Sequence, residues 1–291
     1  MKKYILLTFD LEEFDLPLEF NISVDRETQL EVSTTGLQNL LPVLRQHNIQ
    51  ATFFTTAYYA ENNPALIRQL VSEGHEIASH LYYHSEYKTE HLLQSKQTLE
   101  AITRQQVTGI RIPRLKQFSC QAIRDAGYLY DSSLNPTYLP GRYNHLTKPR
   151  KLFRDAESSL FIVPMSVSPL LRIPLFWLSF KNMYLSAYMH LCNRILNRDH
   201  CLHLYFHPWE FTELDQFKLP WYIQRRSGKE MADRLDHFIG RMKSNAEFMK
   251  VTAYLCIKSS SFDVQLKDSR ESHQTDSLFI NNHEHQLADT A

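Results

Sequence analysis

Two histidines, His80 and His84, stand four residues apart in the stretch Gly74-His75-Glu76-Ile77-Ala78-Ser79-His80-Leu81-Tyr82-Tyr83-His84. On a helical turn this spacing puts both imidazoles on one face, close enough to grip a single metal ion. A metal that does chemistry commonly takes a third protein ligand, often a carboxylate, and keeps a position open for water. Carboxylates stand near the start of the chain, in Thr8-Phe9-Asp10-Leu11-Glu12-Glu13. With 14 histidines in the chain, such a pair also arises by chance, so its weight depends on what else converges on it.

The elements that must position these residues follow from the hydrophobic pattern. Lys3 to Phe9 reads as a buried strand with Asp10 at its C-terminal end. Asp15 to Leu30 is polar and expected to be a loop. Ser33-Thr34-Thr35 is expected to cap a helix running to about His47, with Leu37, Leu40, Leu41 and Leu44 on one face. Gln50 to Thr56 predicts a second strand, Asn63-Pro64 opens a helix, and Gly74 ends it. His75 to Ser79 predicts a third strand that delivers His80. Thr89 to Thr103 is a helix, and Val107 to Ile112 a fourth strand delivering Arg111 and Pro113. After a short helix over Ser119 to Ala126, Tyr128 to Leu134 predicts a fifth strand carrying Asp131-Ser132-Ser133. Phe161 to Val167 is a strand broken by Pro164, and Phe176 to Leu196 is helical. Cys201 to Phe206 is a strand ending at His207-Pro208-Trp209-Glu210, Gly228 to Asn245 is a helix, and Phe248 to Ile257 a last strand. Alternating strands and helices argue for an α/β fold with a parallel sheet and helical crossovers. In a β/α barrel the C-terminal strand ends line the active face, so residues far apart in sequence can converge there.

Composition sets the outer limits. The chain has 291 residues, 43% of them hydrophobic, enough for a large core. Its 32 basic and 32 acidic residues cancel, which leaves no electrostatic footprint for nucleic acid. Only 7 glycines are present, and no Gly-rich phosphate loop occurs. Cys120, Cys192, Cys201 and Cys256 are scattered and predict free thiols. The apolar run after Met1-Lys2-Lys3 meets Asp10 too soon for a signal peptide, so a cytoplasmic protein is expected. Pro169 to Leu196 is apolar but interrupted by Pro174, Arg172, Lys181 and Arg194. It reads as a buried helix, with an interfacial helix meeting lipid as the alternative, and allows at most peripheral membrane contact. Residues 1–258 are expected to form one domain, and the polar stretch 259–291 a disordered tail.

Five motifs occur in order at predicted strand ends: TFDLEE, SHLYYH, RIP, GYLYDSS and LYFHPWE. In this arrangement the chain, from about Thr8 to Leu255, resembles the polysaccharide deacetylases with the NodB-homology domain, carbohydrate esterase family 4. It is most similar to the branch whose first motif reads Asp-x-Glu. The resemblance implies a distorted (β/α) barrel of about seven parallel strands and a divalent metal ion, zinc by expectation. It also implies hydrolysis of N- or O-acyl groups on a carbohydrate. On the matching positions, Asp10 is the catalytic base, Arg111 the arginine that orients it, His80 and His84 metal ligands, and His207 the general acid. Pro113, Arg114 and Trp209 fall to substrate binding, and Asp131 to a supporting position behind Arg111 or His207, or to a turn.

The chain departs from the common pattern at Leu11, where most family members carry a second aspartate, the metal ligand. Strand alternation puts Glu12 on the same side as Asp10, so Glu12 is assigned as third ligand. The alternative is that Asp10 binds the metal and Glu12 or Glu13 is the base. Arg114 stands where an aromatic residue is frequent and could reach an anionic substrate group. The leading expectation is a metal-dependent deacylase acting on an amino sugar of a polysaccharide or of a lipid-linked precursor. A deformylase or amidase on a non-sugar amide, and an inactive carbohydrate-binding protein, are the competing readings.

Overall fold

The computed structural model describes residues 2–259. Its organising element is β1 (Tyr4–Leu11), eight residues that are all buried. Ile5, Leu7, Phe9 and Leu11 face the hydrophobic core, while Thr8 and Asp10 alternate to the other side and meet Arg111. Then follow α1 (Arg26–Gln46), β2 (Thr52–Thr55), α2 (Ala57–Asn62), α3 (Pro64–Ser72) and β3 (Glu76–Ser79). Next are α4 (Glu90–Thr103), β4 (Gly109–Ile110), α5 (Cys120–Asp125) and β5 (Tyr130–Asp131). A small hairpin, β6 (Tyr138–Leu139) and β7 (Tyr143–Asn144), precedes β8 (Phe153–Arg154) and β9 (Phe161–Ile162). The chain ends through α6 (Trp177–Asn182), α7 (Leu185–Asp199), β10 (Cys201–Phe206), α8 (Trp221–Gln224), α9 (Gly228–Met242) and β11 (Glu247–Met249).

The main sheet runs β10-β1-β2-β3-β4-β5-β9-β8. Its first seven strands are mutually parallel, and only β8 lies antiparallel, on the outer side of β9. β11 adds a short parallel pairing to the first residues of β1. The sheet curls until the chain beyond β9 reaches β10: Ser166 N donates to His203 O at 3.0 Å, and Ser166 Oγ accepts from His203 N at 2.8 Å. The expected distorted α/β barrel of seven parallel strands is therefore present, closed at one seam by a few bonds rather than by a full ladder.

Several expected boundaries move. α1 begins at Arg26, not near Ser33, because Asp25 supplies the cap: its carboxylate accepts from Thr28 N at 2.8 Å. Ser33 lies mid-helix and donates to Glu12 O at 2.6 Å, fixing the backbone of the acidic motif. His80 to His84 is not helical; it is an irregular turn after β3 in which Leu81 adopts φ +61°. The region Phe176 to Leu196 is two helices, and α7 buries Tyr188, Cys192, Ile195 and Leu196. No helix among the described residues is long and apolar enough to cross a membrane. The predicted last strand is limited to Glu247–Met249, and residues 251–259 are helical; a short apolar run does not separate the two states by periodicity. All four cysteines are free. Residues through Val251 form one compact unit, and the described residues 252–259 fall outside it. The expected polar tail lies outside the described residues apart from residue 259.

Candidate metal and catalytic centre

The C-terminal edge of the sheet collects the motifs. Asp10 comes from the end of β1, and Glu12, His80, Arg111, Ser132 and His207 stand immediately beyond β1, β3, β4, β5 and β10, respectively. Glu12, His80 and His84 each offer one ligand atom, and these atoms lie within 4.8 Å of one another. Glu12 Oε2 is 3.0 Å from His80 Nε2 and 3.1 Å from His84 Nε2. The other ring nitrogens are committed: His80 Nδ1 donates to Arg111 O and His84 Nδ1 to Asp15 Oδ1, both at 2.7 Å. With both Nδ1 positions donating, loss of the Nε2 protons would leave two Nε2 lone pairs and a carboxylate oxygen pointing at one spot. Such a donor set fits a divalent cation, and the partners behind it fix ring orientation as metal-binding histidines require. Burial opposes charge on Glu12, yet the charges of His84, His207 and His80 outweigh it and hold the carboxyl at about 2. Burial likewise opposes charge on His84, and Glu12 and Asp15 reverse it, raising the imidazole to about 9. Glu13, the other acid considered as base, sits outside the group; its Oε2 accepts from Thr56 Oγ1 at 2.6 Å.

Beside this group Asp10 is held by Arg111. The guanidinium is fully buried and donates to Asp10 Oδ1 at 2.5 Å, Thr8 Oγ1 at 3.0 Å, Ser132 Oγ at 2.9 Å and Ser132 O at 3.2 Å. It also meets His203 Nε2 at 3.0 Å, the face of Phe54, 4.0 Å from the ring centre, and that of Tyr205 at 5.3 Å. His203 Nδ1 donates to Pro164 O at 3.1 Å, so Nε2 is free to accept from Arg111. Burial first, then the Arg111 charge, lowers the His203 pKa to about 3 and keeps it neutral. These contacts hold Arg111 against one oxygen of Asp10 and leave Oδ2 facing His207, 3.9 Å from its Nε2.

His207 completes the centre. Its Nε2 lies 3.9 Å from both Asp10 Oδ2 and Glu12 Oε1, and its Nδ1 bonds Glu210 Oε1 at 3.2 Å. The ring stacks on Trp209 at 4.7 Å and meets the edge of Trp177 at 5.4 Å. Burial lowers its proton affinity, but Glu12, Glu210 and Asp10 together raise it above the ordinary histidine value. The centre opens into a cleft of about 280 Å³ that also presents Arg114, Arg142 and Tyr143 on one side and Phe176, Leu178 and Tyr222 on another.

The polysaccharide deacetylase family model matches residues 1–130. Over these residues the chain is similar to the polysaccharide deacetylases. Relatives include the chitooligosaccharide deacetylase of Bradyrhizobium sp. (strain ANU 289), 50% identical over 46 residues, 16% of this chain and 21% of that protein. The peptidoglycan-N-acetylmuramic acid deacetylase PdaA of Bacillus subtilis is 31% identical over 72 residues, 24% of this chain and 27% of that protein. The matched segments thus span only about a fifth to a quarter of these relatives. In fold the likeness is wider. A polysaccharide deacetylase homologue from Mycobacterium smegmatis superposes with TM-score 0.64 at 18% identity, covering 90% of this chain and 92% of that one. An allantoinase superposes at 0.58 and 15% identity, covering 86% and 88%.

Of the residues assigned to substrate binding or support, Pro113 stands away from the cleft, Arg114 and Trp209 line it, and Asp131 takes the turn role. Pro113 is buried at the start of a short 3-10 turn and does not line the cleft, because the turn directs Arg114 and Leu115 there instead. Arg114 donates to Asp15 Oδ2 at 2.9 Å and is paired with Glu19, so its charge is engaged. Trp209 reaches the cleft but is almost wholly buried; it supports His207 and donates Nε1–H to Glu12 Oε1 at 3.3 Å. Asp131 bonds neither Arg111 nor His207. It accepts from Ser133 N at 2.8 Å and from the Ser133 hydroxyl, which frees Ser133 Oγ to accept from Ile112 N, the residue after Arg111.

Four residues that the sequence reading passed over carry weight here. Ser132 clamps Arg111, His203 caps it, Asp15 holds His84, and Glu210 holds His207. His203 was within reach, since 203, 205 and 207 share one face of a strand. Glu210 lies three residues beyond His207, inside a quoted motif. Asp15 sits in an irregular stretch with no period to mark it.

Proposed function

We propose that this chain is a divalent-metal-dependent deacetylase. Its substrate is an N-acyl, or O-acyl, carbohydrate, an amino sugar of a polysaccharide or of its lipid-linked precursor. The observation that carries the reading is the convergence of Glu12, His80 and His84 beside Asp10 and His207, with His207 Nε2 3.9 Å from each carboxylate. A divalent cation, zinc by preference for two imidazoles and a carboxylate, would supply Lewis-acid polarisation of the acyl carbonyl and acidify a water. Asp10 takes the proton of the attacking water at Oδ2, since Arg111 occupies Oδ1. His207, kept protonated at Nδ1 by Glu210, donates its Nε2 proton to the departing amine or alcohol. The Asp-x-Glu form of the first motif belongs to this proposal: Leu11 fills the core and Glu12 provides the ligand.

The test is metal stoichiometry by elemental analysis of wild type, Glu12→Gln, His80→Ala and Asp10→Asn. The proposal expects one metal per chain in wild type and Asp10→Asn, and loss in the other two. Loss in Asp10→Asn with retention in Glu12→Gln would transfer the ligand role to Asp10 and refute the assignment.

A further inference from the structure

The chain is neutral as a whole but its charge is segregated. Between Ser132 and Arg198 it carries nine Lys and Arg and two acidic residues, Asp155 and Glu157. Five of the cations, Arg142, Lys148, Arg150, Lys151 and Arg154, fall in a stretch with no acid at all. Arg150 and Lys151 share Asp199, and Arg142 pairs with Glu19. Lys148 and Arg172 form no ion pair among the described residues.

Against this basic stretch lies a tight turn whose arms meet at Val167 and Pro174. At its tip Leu170 is 82% exposed and Leu171 79%. The turn is fastened rather than loose. Thr137 Oγ1 donates to Arg172 O at 2.6 Å, and Arg172 Nη1 donates to the carbonyls of Lys148 and Pro136 at 3.1 and 3.3 Å. Tyr138 and Leu146, from the segment it is bonded to, are exposed as well. Scattered exposed leucines need no explanation; two adjacent ones at a fastened convex tip, with further exposed apolar side chains beside them and cations around, do. The same segment reaches the catalytic cleft, which Leu139, Pro140, Arg142 and Tyr143 help to line.

We infer that this face docks on the surface of an anionic lipid bilayer. Leu170 and Leu171 enter the boundary between headgroups and acyl chains, and the exposed Lys148 and Lys151 face lipid phosphates. A convex tip suits a deformable surface, and the charge of the segment is opposite to that of anionic lipid. Docked this way, the mouth of the cleft sits at headgroup level. The inference goes beyond the deacetylase reading and does not depend on it, because vesicle binding requires neither metal nor turnover.

The test is co-sedimentation of the full chain with phosphatidylglycerol-containing vesicles and with pure phosphatidylcholine vesicles, at low and high salt. Wild type is expected to bind the anionic vesicles, more weakly as salt rises, and to bind phosphatidylcholine little. Lys148→Glu with Lys151→Glu should weaken binding by at least about fivefold per cation removed. Leu170→Ser with Leu171→Ser should weaken it by roughly tenfold or more without altering the thermal midpoint, since both side chains lie in water. Equal binding to both vesicle types, no binding to either, or full binding by the leucine variant would overturn the inference. So would a wild-type dimer that the leucine variant dissolves while vesicle binding persists, which would assign the face to a second copy of the chain.

Discussion

Replacing Arg111 with Met tests the packing of the catalytic centre most sharply. Methionine approximates the volume of the arginine stem beside Phe54 but provides no cation for Asp10, which is only 3% exposed. It also abandons Thr8 Oγ1, Ser132 O and Oγ, and His203 Nε2, each of which now receives a guanidinium hydrogen. Breaking a buried ion pair by removing one partner costs about 3–5 kcal/mol, mainly because the other charge stays buried. For a folded unit of this size a kcal/mol shifts the melting midpoint by about 2 °C, so Arg111→Met should melt roughly 6–10 °C below wild type. Asp10→Asn removes the stranded charge. The double variant Asp10→Asn/Arg111→Met should therefore lose less than the two single losses summed, with a coupling of about 2 kcal/mol or more. Thermal and guanidinium unfolding of the four proteins, followed by circular dichroism, measures this cycle. Additivity within about 0.5 kcal/mol would refute the argument that Arg111 and Asp10 act as a unit.

Other outcomes follow from the same geometry. Glu210→Gln removes a carboxylate that helps raise the proton affinity of His207, so the imidazolium loses its proton at lower pH; the alkaline limb of kcat/KM against pH should move to lower pH, and an unmoved limb contradicts the acid role. Asp15→Ala leaves His84 Nδ1 without its acceptor and should weaken zinc affinity by about 10–100-fold in a chelator competition, where equal affinity counts against the ligand set. Burial raises the Asp131 carboxyl to about 6, against the lowering influence of Ser133 and Arg111, from an ordinary 3.8. Its folded value lies above its unfolded one, so wild type is favoured below pH 4 and loses that advantage as pH rises through 6. Asp131→Asn should accordingly gain on wild type by up to roughly 2–3 kcal/mol between those pH values, and parallel stability profiles would show that the carboxyl is not strained by burial.

The parts of this protein legible in its sequence are those written in local periodicity. β1, β3 and β10 were marked by apolar runs ending in polar residues, and that placed Asp10, His80 and His207 at one edge of the sheet before any coordinates. Strand alternation also selected Glu12 over Leu11, because Leu11 packs into the core. Residues whose partners come from distant strands were not legible. Ser132 and His203 matter only because Arg111 threads between β5 and β10, and no local pattern reports that. Asp15 reaches His84 across 69 positions of sequence. The start of α1 was misplaced because three hydroxyl residues at 33–35 look like a cap, whereas Asp25 already provides one upstream. The helical geometry first assumed for His80 and His84 was wrong for a related reason: a four-residue spacing also suits a turn, and Leu81 in the left-handed region makes that turn.

The central claim, that Asp10 acts as base beside a metal held by Glu12, His80 and His84, rests on acetate release. The decisive measurement is the rate at which zinc-reconstituted wild type and Asp10→Asn free acetate from N-acetylglucosamine oligosaccharides, with zinc content determined on the same samples. The account predicts one zinc per chain in both proteins and acetate release at least about 100-fold slower in the variant. An Asp10→Asn variant that holds zinc and releases acetate at the wild-type rate would contradict it.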